Sequence, residues 1–132
     1  MTRKEAREAA FMFIFEYGFN RQKSVDEIVD EALEERGLMG DDYSKSVFQY
    51  VTENIEQIDK EIDRCIVGRS ASRITKPGRA IMRLATAEIM MGDTPAAVAI
   101  NEAVELAKKF DADEMPSYIN GVLGTLVKNL GA

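Results

Sequence analysis

Two pairs of polar residues interrupt apolar helical patterns near the end of this chain. Asn101 and Glu102 stand in PAAVAINEAVELAKKF, and Asn120 and Gly121 stand in YINGVLGTL. An asparagine amide donates and accepts, so Asn120 could read a base edge or bond a neighbouring helix. Gly121 would let RNA or another backbone approach closely, whereas glycine inside a helix costs roughly 1 kcal/mol relative to alanine. Tyr118 precedes the Asn-Gly pair, and Phe110 follows Lys108 and Lys109. Aromatic rings beside cations are what unstacked RNA bases stack on, with core packing the favoured reading for Phe110 and an equal alternative for Tyr118. At the other end, Arg3, Lys4 and Arg7 suit phosphate contact from a helix start, on an arm that could order with RNA. Glu88 lies four residues after Leu84 and three after Ala85, on an apolar helix face. A buried carboxylate needs a partner, and an ion pair with an arginine of the adjacent basic stretch is the favoured reading over ligand contact.

Other chemistry is poorly supplied. There are no histidines and one cysteine, which removes the commonest general base and any ordinary zinc site. Cys65 has no histidine partner and falls on an apolar stripe, where a small core residue is expected. No G-x-x-x-x-G-K-[ST], G-x-G-x-x-G or EF-hand spacing is present, so no phosphate loop or calcium loop is visible. Glu34-Glu35 and Asp41-Asp42 belong to an acidic run that reads as a solvated surface. No enzyme, metal or cofactor is expected. A single cysteine allows no intramolecular disulfide and fits a reducing, cytoplasmic setting. The start, MTRKEAREAA, lacks a signal-peptide core. The apolar run FMFIF at 11–15 is far short of the ~18–20 residues a membrane span needs.

Net charge is −6, which taken alone argues against nucleic acid. The distribution argues the reverse. From Arg64 to Ala87 there is no acid, but there are Arg64, Arg69, Arg73, Lys76, Arg79 and Arg83; Asp26 to Asp42 holds eight acids and one base. The chain reads as a charge dipole. Arg69, Arg73, Lys76 and Arg79 could extend an RNA surface, bind an acidic partner, or balance the acidic second helix.

Helices must position these groups. The 132 residues suit one compact domain, and no convincing period-2 strand occurs. Ala6, Ala9, Ala10, Phe13, Ile14 and Tyr17 repeat at helical spacing over about 4–18, with Gly18 as the stop. Ser24 with Glu27 forms a capping box for a second helix that Gly37 and Gly40 end. Asp41 or Asp42 starts a third, whose pattern continues to Ile66, as one helix or as two broken near Asn54. Lys76-Pro77-Gly78 precedes a segment over about 78–91. Asp93 or Thr94 caps the next, with Pro95 at its first position, and Pro116 opens the last. The fold class is all-α, with six to seven helices joined by short loops.

The residues also carry a family resemblance. Arg3-Lys4 and Ala6-Arg7-Glu8-Ala9-Ala10, then Ile81-Met82-Arg83-Leu84-Ala85 with Glu88, then VAINEAVELAK at 98–108 and YINGVL at 118–123 resemble the NusB family in order and spacing. The resemblance covers essentially residues 1–132, with its specificity concentrated in 79–124. It implies one NusB-like RNA-binding domain made of two packed three-helix bundles. It further implies a transcription antitermination factor that binds boxA-type single-stranded RNA with ribosomal protein NusE and joins the RNA polymerase antitermination complex during ribosomal RNA transcription. Arg3, Lys4, Arg7, Lys108, Phe110, Tyr118 and Asn120 are then the RNA candidates. Arg69, Arg73, Lys76 and Arg79 are the partner candidates, and Glu88, Asn101, Glu102 and Gly121 are structural.

The competing expectation is a helical protein-interaction module, a homodimer or adaptor without RNA binding. Exposed apolar surface around Phe11 and Phe15 would support it. A helix-turn-helix DNA regulator fits poorly, because the last helix is mostly apolar and lacks base-reading side chains in its first turns.

Overall fold

The computed structural model describes residues 1–66 and 71–132. Among these, seven α-helices follow in order: α1 (Arg3–Phe19), α2 (Val25–Arg36), α3 (Asp42–Glu53), α4 (Ile55–Cys65), α5 (Lys76–Met91), α6 (Ala96–Phe110) and α7 (Met115–Leu130). A short 3-10 turn at Ala71–Arg73 precedes α5. No strand occurs among the described residues.

Local chemistry sets the helix starts. The side chain of Thr2 accepts from the Glu5 amide while Glu5 accepts from the Thr2 amide. Ser24 with Glu27 and Asp41 with Ser44 close the same reciprocal box on α2 and α3. Each box satisfies two amides that a helix start leaves without partners. Gly37, Gly92 and Gly131 end α2, α5 and α7 with φ of 64°, 83° and 71°, a left-handed conformation that glycine adopts without a Cβ penalty.

Several boundaries differ from the sequence reading. Gly18 does not stop α1, which runs one residue further to Phe19 and ends at Asn20. The long third pattern is two helices, broken at Asn54. Its amide side chain donates to the Tyr50 carbonyl, competing with helix continuation as asparagine does. Neither Asp93 nor Thr94 caps α6: Pro95 is itself the cap residue and α6 begins at Ala96. Thr94 is engaged elsewhere, on Glu88 and Tyr43.

The helix α5 organises the rest. Every residue from Ile81 to Ile89 is buried, so α5 has no solvent stripe, the mark of a core helix. It touches α1 and α3 on one side and α4, α6 and α7 on the other. The two three-helix groups that the resemblance implies are α1–α3 on one side and α4, α6 and α7 on the other, with α5 between them. Phe13 and Phe48 stack 5.6 Å apart in the first half. Met115, Ile119, Val122, Leu123 and Leu126 fill the second from α7. Gly78 sits tightly where α5 starts: a Cβ there would lie 2.6 Å from Met115 Cε and 2.8 Å from Thr75 Oγ1, so those side chains would have to shift.

Candidate RNA and partner surfaces

The start of α1 is a capped helix rather than a mobile arm, and it separates its three cations. Lys4 and Arg3 are exposed. Arg7 is buried, with its side chain 8% exposed, and its Nε donates to both Glu88 oxygens at 2.9 and 3.2 Å. The Glu88 carboxylate, 1% exposed, also accepts from the hydroxyl of Tyr43 and from that of Thr94 at 3.3 Å. Four elements thus meet at one carboxylate: α1, α3, α5 and the turn before α6. Burial, then the bond to Glu88, raises the Tyr43 phenol above the usual tyrosine range.

Two expectations are corrected by this cluster. Glu88 is in an ion pair, but its partner comes from the first helix, 81 residues away, and not from the basic stretch. Arg7, expected beside Arg3 and Lys4 at phosphates, is committed to that carboxylate, because a buried carboxylate and a buried guanidinium each need the other.

The basic stretch is matched by α4 rather than by the acidic α2. Arg83 is bidentate on Asp59 at 2.9 and 2.8 Å. Arg79 reaches Asp63 at 2.9 Å and Asp59 at 3.8 Å. The expected dipole is therefore weaker at this face. Arg73 and Lys76 stay exposed, and Arg69 lies outside the described residues. Lys76 Nζ sits 5.3 Å from the centroid of Phe19, a ring left 51% exposed. Together with Phe15, Gly18, Arg79 and Arg83 they line a cleft of about 130 Å³ between α1 and α5. Phe11 is buried and Phe15 partly so, so the apolar surface expected around them reduces to Phe19.

A second cleft, about 230 Å³, lies between the start of α1 and the end of α6. Lys4 and Lys108 line it with Arg7 and Lys109, opposite Glu8, Glu102 and Glu105. It thus gathers three of the expected RNA residues and the expected structural residue Glu102. Lys109 is also paired with Glu8. Phe110 is partly buried against Phe11, centroids 5.2 Å apart, which makes it a packing ring first. Tyr118 and Asn120 do not line this cleft. Asn120 is exposed on α7, and Tyr118 is half-buried with a hydroxyl that has no hydrogen-bond partner among the described residues. Asn101, expected to be structural, is exposed on α6; it and Asn120 lie on solvent-facing sides and do not interrupt the buried faces at all.

Tyr43, Thr94 and Asp59 were missed as organising residues. Neither Tyr43 nor Asp59 is singled out by its local pattern, and Thr94 reads only as a cap. Their polar ends matter because the Glu88 carboxylate is delivered to them by packing, which no local pattern reveals.

The arrangement of seven helices, one of them buried at the centre, is found in known proteins. Residues 4–128 match the model of the NusB family. The chain belongs to the NusB family. It is 36% identical over 135 residues to the transcription antitermination protein NusB of Clostridium novyi, across 97% of this chain and 99% of that protein. The solved NusB of T. maritima superposes with a TM-score of 0.80 at 30% identity, covering 97% of this chain and 92% of that one. A crystal structure of antitermination factors NusB and NusE in complex with dsRNA matches with a TM-score of 0.81 at 27% identity, covering 96% of each chain. No helix among the described residues is long and apolar enough to cross a membrane.

Proposed function

We propose that this chain is a cytoplasmic transcription antitermination factor, not an enzyme, that needs no cofactor. It binds boxA-type RNA together with ribosomal protein NusE and carries both to RNA polymerase during ribosomal RNA transcription. The observation that supports this most is the near-complete match to a NusB chain solved with NusE and RNA.

The two clefts divide the work. The one at the α1 start and the α6 end offers Lys4 and Lys108 to phosphates, with exposed Arg3 beside it. Asn120 and Tyr118 on α7 are the candidates for base contact. The one at Phe19, Lys76 and Arg79 receives the protein partner: an exposed ring flanked by cations suits an amphipathic, acidic surface. Arg7 and Glu88 hold α1 against α5 so that Lys4 faces α6. Gly121 and Glu102 retain structural roles.

The test is a titration of boxA-type single-stranded RNA across a salt series, with and without NusE. The solved relative holds double-stranded RNA, so a duplex of the same sequence serves as competitor. Binding that weakens linearly with the logarithm of salt, and tightens with NusE, is the expected outcome. Absence of salt-dependent binding under both conditions sinks the reading.

A further inference from the structure

A third cleft, of about 370 Å³, has no assigned occupant. It opens beside the Arg7–Glu88 cluster, between the start of α1, the start of α3 and the turn leading into α6. The Arg3 guanidinium carbon lies over the Tyr43 ring, 3.6 Å from its centroid. Pro95 and Val98 form an apolar wall, and Val98 is 41% exposed there. Asp93 and Thr94 complete the rim.

We propose that this cleft is a nucleobase subsite, in which one unstacked base of the bound RNA lies between the Arg3–Tyr43 stack and the Pro95–Val98 wall. The inference rests on the RNA-binding reading above and extends it to a second cleft. Three observations carry it. First, a guanidinium already stacked on a ring presents a planar cationic face, the surface on which single-stranded bases settle. Secondly, the platform is rigid: the Tyr43 hydroxyl is held by Glu88, whose other bonds go to Arg7 and Thr94. Thirdly, the cleft adjoins the Lys4–Lys108 cleft, because Arg7 lines both. A strand whose phosphates follow Lys108 and Lys4 reaches Arg3 next. The volume falls at the low end of small-ligand pockets, which begin at about 300 Å³. The Asp93 carboxylate at the rim can only accept, so a base with an exocyclic amino group, adenine, guanine or cytosine, is preferred over uracil, which has none.

The experiment uses the full chain and boxA-type single-stranded RNAs carrying 2-aminopurine at one position at a time. One position is expected to brighten on binding, as its base leaves its stacked neighbours. Arg3→Ala and Val98→Glu are expected to abolish that rise and weaken binding by about fivefold or more, while Tyr43→Phe, which keeps the ring, retains it. Denaturant unfolding of each variant reports whether the fold is kept. If Arg3→Ala flattens the salt dependence but no base position changes its signal, Arg3 contacts only phosphate and the subsite is refuted. If the variants lose NusE and keep RNA, the cleft is a protein contact and the subsite is equally refuted. If the wild-type chain binds no RNA at any salt, the underlying function fails with it, which the titration alone distinguishes.

Discussion

Helix α5 carries two arginine–carboxylate junctions made from the same groups in opposite surroundings. At one end Glu88 meets Arg7 with side-chain exposures of 1% and 8%. At the other, Arg79 meets Asp63 with exposures of 25% and 56%, while Arg83, 10% exposed, is bidentate on Asp59 behind them. Water screens the Arg79–Asp63 pair and is excluded from Arg7 and Glu88. A buried pair gains little over an apolar pair of the same shape, yet losing one partner is severe, since the other charge is left without water or counterion. An open pair is worth little either way. The buried junction is therefore a device that fixes where α1 sits on α5, and the open one is a surface that a partner can remodel.

The largest effect expected is from Glu88→Ala, which strands the Arg7 guanidinium. We expect a loss of about 3–5 kcal/mol of unfolding free energy, read by urea denaturation. The paired replacement Arg7→Met with Glu88→Leu should recover most of it. A single-variant loss below about 1 kcal/mol would make the two junctions equivalent and break the comparison.

Asp63→Ala is expected to cost about 1 kcal/mol or less, because its pair with Arg79 is open to water. The difference sharpens in salt. The coupling between Arg79 and Asp63, from a double-mutant cycle, should fade towards zero at 1 M salt, where the screening length is about 3 Å. That between Arg7 and Glu88 should persist, because solvent ions do not reach it.

How much of this was legible in the sequence follows from the range of each signal. Ser24 with Glu27 announced the start of α2, and the pattern Ala6, Ala9, Ala10, Phe13 and Ile14 announced α1, because capping and periodicity are local. The break at Asn54 was visible as an option and needed the structure to decide it. Glu88 was legible as a carboxylate needing a counter-charge, since its position on an apolar face is local too. Its partner was not, because Arg7 is 81 residues away and proximity along the chain favoured the basic stretch. For the same reason the sequence offers the acidic α2 as the counter-charge of Arg79, when Asp59 and Asp63 from α4 face it. Asn101 and Asn120 were read as breaks in apolar faces; a helix wheel offset of one residue places both on solvent.

Smaller effects lie in the pH dependence. The Tyr43 phenol is raised by burial and by Glu88. Its contribution to stability is thus full below the pKa of an unfolded tyrosine and is lost as pH rises through the higher folded value. Tyr43→Phe should remove that alkaline loss, and only at the buried junction. On the acid side, hydrogen bonds from the Thr2, Ser24 and Ser44 ends of the capping boxes lower Glu5, Glu27 and Asp41 below the usual carboxylate range. Their contribution is present above the unfolded values and lost as pH falls through the folded ones. Asn in place of Asp41 should flatten that acid limb slightly, as seen by thermal melts between pH 2 and 6, a window set by the ordinary carboxylate values of about 4.

The most direct test of the account compares salt slopes for boxA-type RNA binding between two variants. Lys4→Ala removes a cation proposed to face phosphate, and Arg7→Met with Glu88→Leu removes the buried pair while keeping charge balance. The account predicts a slope flattened by roughly 0.7 for Lys4→Ala and an unaltered slope for the double variant. A flattened slope for the double variant, with Lys4→Ala indistinguishable from wild type, would contradict it: Arg7 would then be the phosphate ligand and Lys4 a bystander.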